Sequence, residues 1–104
     1  GPVVAYRADT DGLPIAEDTG LPYSSTAEGV LPDGTRTPVM HGCGHDTHIT
    51  VGLHLARVLT AHREAWSGTV VLLCQPGEET AAGAKAMLED GLWETGATPE
   101  VVYG

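Results

Sequence analysis

The sequence predicts an α/β fold, a mostly parallel sheet flanked by helices. Short apolar runs of strand length alternate with stretches of helical periodicity, the pattern of successive strand–helix–strand units. The run Thr69-Val70-Val71-Leu72-Leu73-Cys74 is continuously apolar, as expected of a strand buried on both faces. With 104 residues, 41% apolar and 18% charged, the chain can build one small core and does not resemble a disordered segment.

The first element is the β-rich run Val3-Val4-Ala5-Tyr6-Arg7-Ala8, which ends in the turn-forming Asp9-Thr10-Asp11-Gly12. Residues 12–44 come next, punctuated by Pro14, Pro22, Pro32 and Pro38, by several glycines and by the turn signal Pro32-Asp33-Gly34. They predict a long, mostly irregular excursion, and such loops are usually functional. Asp46 is expected to cap a helix over 47–65, whose apolar positions Ile49, Leu53, Ala56 and Leu59 keep helical spacing. Val51, Leu55 and Val58 widen that face, so the helix should be covered on more than one side. The strand at 69–74 runs into Gln75-Pro76-Gly77-Glu78-Glu79-Thr80, a second helix spans about 82–89 with Gly91 as its stop, and a third strand begins at 101. Strands at both ends of the chain suggest a piece of a larger sheet.

The formal net charge is −9, from 14 acids and 5 bases, which argues against nucleic acid and anionic membrane surfaces as partners. No apolar run approaches the roughly 20 residues of a spanning helix, and no basic start with an apolar core marks a signal peptide. The opening residues read as chain already inside a domain. Cys43 and Cys74 could pair, but two cysteines make no disulfide framework, and reduced cysteines in a cytoplasmic protein are the better reading.

The densest chemistry is His41-Gly42-Cys43-Gly44-His45-Asp46-Thr47-His48, where thiol, imidazole and carboxylate meet just before a helix. That is a ligand set for zinc or another borderline divalent metal, and a cation there would ionise Cys43. Each residue taken singly is better read as part of a polar helix start, with Asp46 as cap, His41 and His48 in solvent and Cys43 as a small hydrophobe, but so many ligand types rarely meet by accident at one loop. Glu78-Glu79 comes directly after a strand, at the strand end where open α/β sheets place their sites. One carboxylate of such a pair can coordinate metal while its neighbour handles protons. Asp9 and Asp11, two apart in an extended segment, share a face, and either could orient a ligand histidine from behind. Alone, aspartates beside Gly12 are ordinary turn formers.

Four stretches together resemble a known family: Arg7-Ala8-Asp9-Thr10-Asp11-Gly12-Leu13-Pro14-Ile15, Met40-His41-Gly42-Cys43-Gly44-His45-Asp46-Thr47-His48, Gln75-Pro76-Gly77-Glu78-Glu79 and Gly83-Ala84-Lys85-Ala86-Met87. They are similar, in order, to the zinc-peptidase-like amidohydrolases of the aminoacylase/carboxypeptidase type, in the branch of hippurate hydrolases, auxin-conjugate hydrolases and N-acetyl-diaminopimelate deacetylases. The resemblance implies part of a zinc-exopeptidase-like catalytic domain that hydrolyses the amide bond of N-acyl amino acids with two divalent ions, zinc or manganese. It implies Cys43 as the bridging ligand, His45 and Glu79 as ligands and Glu78 as the general base. Asp11 would support the metal site, Asp9 stands where more distant relatives keep a ligand histidine, and Asp46 and His48 would lie in the surrounding layer. Thr10 and Gly12 replace the more usual methionine and alanine, and Gly42 and Gly77 stand where alanine is common. Two further histidine ligands, the rest of the catalytic sheet and an inserted lid and dimerisation domain would lie outside these residues. The chain alone is then expected to be inactive or to bind metal weakly, and the full-length protein to be a homodimer. Two other readings are a cysteine hydrolase with Cys43 as nucleophile and a non-catalytic α/β fragment or interaction domain that binds cations through its acidic loop.

Overall fold

A computed structural model of the chain describes residues 1–94 and 96–104. Three parallel strands form its sheet: β1 (Val3–Asp9) in the centre, β4 (Thr69–Gln75) on one side and β5 (Val101–Tyr103) on the other. β1 and β4 pair without a break from Val3 opposite Thr69 to Asp9 opposite Gln75. β5 pairs Val101 with Val4 and Tyr103 with Tyr6. The chain thus crosses from β1 to β4 and returns over β1 to β5. Right-handed crossovers in opposite directions must put their helices on opposite faces. Accordingly α1 (His45–Ala61) lies on the face carrying Tyr6 and Ala8, with Gly52 against both side chains. α2 (Gly83–Glu89) lies on the other, where Ala84, Met87 and Leu88 meet Arg7, Leu73 and Gln75.

The excursion at 12–44 is more ordered than its composition suggests. It holds the antiparallel hairpin β2 (Glu28–Val30) and β3 (Arg36–Pro38), with Arg36 and Glu28 ion-paired at 2.6 Å. Asp33 accepts the Thr35 amide, and Gly34 takes φ +87 to complete the turn. Leu13 and Met40 exchange backbone hydrogen bonds and fasten the ends of the excursion together. Three-residue strands are too short for side-chain alternation to betray them.

The helix expected over 47–65 begins earlier, at His45, and gives way after Ala61 to a 3-10 turn at Arg63–Ala65. Its cap is Gly44 in the left-handed region, not Asp46, which sits in the first turn and makes no side-chain cap. The glycine wins because the turn into the helix needs φ +85, which costs a residue with a Cβ about 1–2 kcal/mol. Covering of α1 on more than one side is also not observed: Val51, Leu53 and Val58 remain 50%, 65% and 45% exposed. Nor is β4 buried on both faces. Leu73 and Gln75 are buried on the α2 side, whereas Leu72 is 40% exposed and Cys74 exposed on the other, because α1 rides over β1. Among the described residues no helix is long and apolar enough to cross a membrane.

The innermost apolar residues are Ala5, Ala8 and Leu73, and the buried polar ones are Asp9, His45 and Gln75. Polar burial needs partners. All three polar residues lie at the C-terminal end of the sheet or beside it, where the site must be sought.

Candidate metal centre

Three chain segments converge at that end. The first is the end of β1, which delivers the buried Asp9 and, after one turn residue, Asp11. The second is the entry into α1. The left-handed Gly44 lets the chain reverse so that His45, the first helical residue, turns back toward β1 and is 6% exposed.

The third is the turn from β4 to α2. Gly77 adopts φ +72, and its carbonyl accepts the Ala82 and Gly83 amides, closing the loop around Glu78 and Glu79. The loop folds so tightly that a Cβ on Gly83 would lie 1.6 Å from the Pro76 carbonyl oxygen. Asp11 clamps it from below. Its two carboxylate oxygens accept the Gly77 amide at 2.7 Å and the Glu79 amide at 3.0 Å. Those bonds, led by that from Glu79, hold the Asp11 carboxyl below its ordinary value. The Asp11 carbonyl in turn meets Nδ1 of His41 at 2.9 Å, which ties the excursion to the same point.

The result is a cluster in which one donor atom each from Cys43, His45 and Glu79 lies within 4.8 Å of the others. Donors sharing one zinc ion at about 2.0–2.3 Å can be at most about 4.6 Å apart. The 4.8 Å span is slightly wider than that limit, a gap that small rotations of the exposed Cys43 and Glu79 side chains would close around one ion. His45 Nε2 faces Glu79 Oε1 at 3.3 Å and Glu78 Oε2 at 3.6 Å, while Nδ1 faces Asp9 Oδ1 at 3.2 Å.

This geometry tests whether a cation suits the site. A neutral imidazole carries one N–H, yet both ring nitrogens look at carboxylates, so one contact sets lone pair against lone pair. A second proton or a cation resolves it. The buried Nδ1 and Asp9 Oδ1 are also out of hydrogen-bonding alignment and, among the described residues, have no hydrogen-bond partner. The Cys43 thiol is pushed above its ordinary pKa, first by hydrogen bonding to the Glu79 carboxylate and then by that carboxylate's charge. Surrounded by acids alone, Cys43 stays a thiol. The donor set fits a divalent cation.

Of the residues singled out in the sequence, Cys43, His45, Glu78, Glu79, Asp9 and Asp11 meet here. Asp46 and His48 do not join them: among the described residues neither side chain bonds to the cluster, and Asp46 faces the cavity lined by Thr10, Tyr23 and His41. Sequence reasoning missed the part of Gln75, whose Oε1 accepts Arg7 Nε at 2.6 Å, and of Arg7, whose Nη1 lies 3.7 Å from Asp9 Oδ2. The parallel pairing that sets Gln75 opposite Asp9 was the only signal, and it needs the strand order.

Known proteins carry the same arrangement of sequence. The chain is 45% identical over 91 residues to the N-acetyl-L-cysteine deacetylase of Bacillus subtilis, covering 88% of this chain and 20% of that protein. It is 39% identical over 101 residues to the N-acetyldiaminopimelate deacetylase of Leuconostoc mesenteroides, covering 97% and 23%. To an IAA-amino acid hydrolase of Arabidopsis thaliana it is 47% identical over 90 residues, covering 86% and 18%. The crystal structure of a dinuclear metal-binding peptidase of the M20 family from Bacillus subtilis superposes with a TM-score of 0.73 at 43% identity, over 89% of this chain and 23% of that one. The chain thus spans about a fifth of the length of the relatives it matches. The family profile itself extends over residues 5–104, so the chain belongs to peptidase family M20/M25/M40.

Proposed function

We propose that the protein is a metal-dependent amidohydrolase that cleaves the amide bond of N-acyl amino acids. The observation that carries this reading is the meeting of Cys43, His45 and Glu79 within 4.8 Å, with Glu78 beside them. The activities for which the relatives are named, those of deacetylases and an amino acid conjugate hydrolase, support the substrate class.

Cys43, His45 and Glu79 would hold two divalent ions, zinc or manganese, Cys43 binding as its thiolate. When bound, the ions supply Lewis-acid polarisation of the amide carbonyl and acidify a water molecule. Glu78 takes the proton from the attacking water and delivers it to the leaving amine. Its side chain suits that work, since it is 43% exposed and open to substrate, whereas His45 is buried. Asp11 keeps both glutamates in place through the amides of their turn. Asp9 stands behind His45 and orients it. Three donors are fewer than two ions require, so further ligands would come from outside residues 1–104, the chain supplying part of a catalytic domain. The free cysteines accord with a cytoplasmic protein. A nucleophilic Cys43 is disfavoured, because a reactive cysteine needs its thiolate stabilised and the neighbouring acids do the reverse.

The test is Glu78→Gln in the full-length protein. Metal content should stay at the wild-type level by elemental analysis, while turnover of N-acyl amino acids drops about 10²–10⁴-fold. Hydrolysis close to the wild-type rate would reject the general-base role.

A further inference from the structure

Behind His45 the buried Asp9 faces a second charged group, one that takes no part in the proposed hydrolysis. Arg7 and Asp9 are two apart on β1 and share a face, and Gln75 is Asp9's partner on β4. The three side chains form a triangle under α2. Gln75, 6% exposed, receives Arg7 Nε at 2.6 Å, which fixes the guanidinium plane. Nη1 is left 3.7 Å from Asp9 Oδ2, and the other oxygen of Asp9 faces His45 Nδ1 at 3.2 Å. Among the described residues Arg7 is the only permanent positive charge paired with Asp9.

We propose that Arg7, held by Gln75, is a positioning residue that aims the Asp9 carboxylate at His45 and so strengthens the hold of His45 on a divalent cation. The proposal rests on the reading of Cys43, His45 and Glu79 as metal ligands. A carboxylate behind a ligand imidazole fixes its tautomer and ring orientation and makes its free nitrogen a better donor. That works only while the carboxylate is itself held. Among the described residues Asp9 Oδ1 has no hydrogen bond to hold it, so its direction comes from the guanidinium on the far side. Lysine in place of Arg7 would keep the charge but lose the planar fork that Gln75 grips.

A double-mutant cycle on metal affinity tests this. Zinc binding to metal-stripped full-length protein is measured by competition with a chromophoric chelator for wild type, Arg7→Met, Asp9→Asn and the double variant. Arg7→Met should weaken binding about tenfold, the size expected when an outer partner of a metal ligand is lost. Arg7→Lys should fall in between. The double variant should bind no more weakly than Asp9→Asn alone, because Arg7 acts through Asp9. Unchanged affinity in Arg7→Met, or losses that multiply in the double variant, would overturn the proposal. Should Arg7→Met fail to fold, Gln75→Met takes its place in the cycle, with a smaller loss that Asp9→Asn again abolishes. Failure of the wild type itself to bind zinc would instead reject the ligand assignment, and the two failures are told apart by that one measurement.

Discussion

Cys43 illustrates how one residue's chemistry depends on its neighbours' charge. Beside Glu79 its thiol keeps its proton, and a cation in the same place would reverse the sign of its surroundings and favour the thiolate. Cys43→Ala in the full-length protein should lower the metal content measured by elemental analysis while leaving the fold intact, since the side chain is exposed and no packing is lost. Unchanged content would reject a bridging role. Cys43, His45, Glu78 and Glu79 stood out in the sequence because a thiol, an imidazole and paired carboxylates fall at turns, and the structure brings them together. Their directions were not legible in the sequence. Asp46 comes after His45 by one residue but by about 100° around the helix, which carries it away from the ligand cluster. His48 lies almost a turn farther along the axis. Arg7 and Gln75 look unremarkable in sequence, since their meaning arises only when β1 lies beside β4.

At the scale of elements, glycines shape the loops that present the candidate ligands. Gly44 supplies the left-handed turn that aims His45, and Gly83 lets the glutamate turn close upon Pro76. Gly83→Ala forces a Cβ into the Pro76 carbonyl, so the turn carrying Glu78 and Glu79 must shift. It should destabilise the protein by about 1–3 kcal/mol in chemical denaturation and weaken zinc binding as well. Gly52→Ala is the control. Its Cβ would meet Ala8 and Tyr6 at an ordinary 3.6 Å, and alanine is the better helix former by about 1 kcal/mol, so stability should hold or rise and metal binding stay unchanged. The five principal elements were legible from apolar runs and periodicity. The hairpin at Glu28–Val30 and Arg36–Pro38 was not, because prolines and glycines dominate its composition and each strand is three residues long.

For the whole molecule, Asp9, Asp11, Glu78 and Glu79 gather at one end of the sheet in a chain of net charge −9, where a divalent cation would offset their mutual repulsion. A ligand bound to the folded state alone stabilises it by mass action, about 2.7 kcal/mol at a hundredfold excess over Kd. Chelation should therefore lower the melting temperature of the full-length protein, re-added zinc should restore it, and Cys43→Ala should blunt both responses in differential scanning fluorimetry. A melting curve indifferent to chelator would contradict a resident metal. The fold class was legible, since alternating strands and helices imply parallel pairing. The order β4–β1–β5 was not, because it depends on which edge of β1 each crossover returns to.

The unbroken pairing of β1 with β4 also sets the height at which two loops arrive. Asp9 and Gln75 end their strands side by side, so the loops leaving them start from the same level. A slip of one residue would displace one loop from the other by about 3.3 Å and turn every side chain of the strand to the wrong face. Misaligned chains could no longer bring sulfur, nitrogen and oxygen around one ion. A cation held there would bind only chains whose strands are in register, adding its binding free energy to the correctly aligned fold.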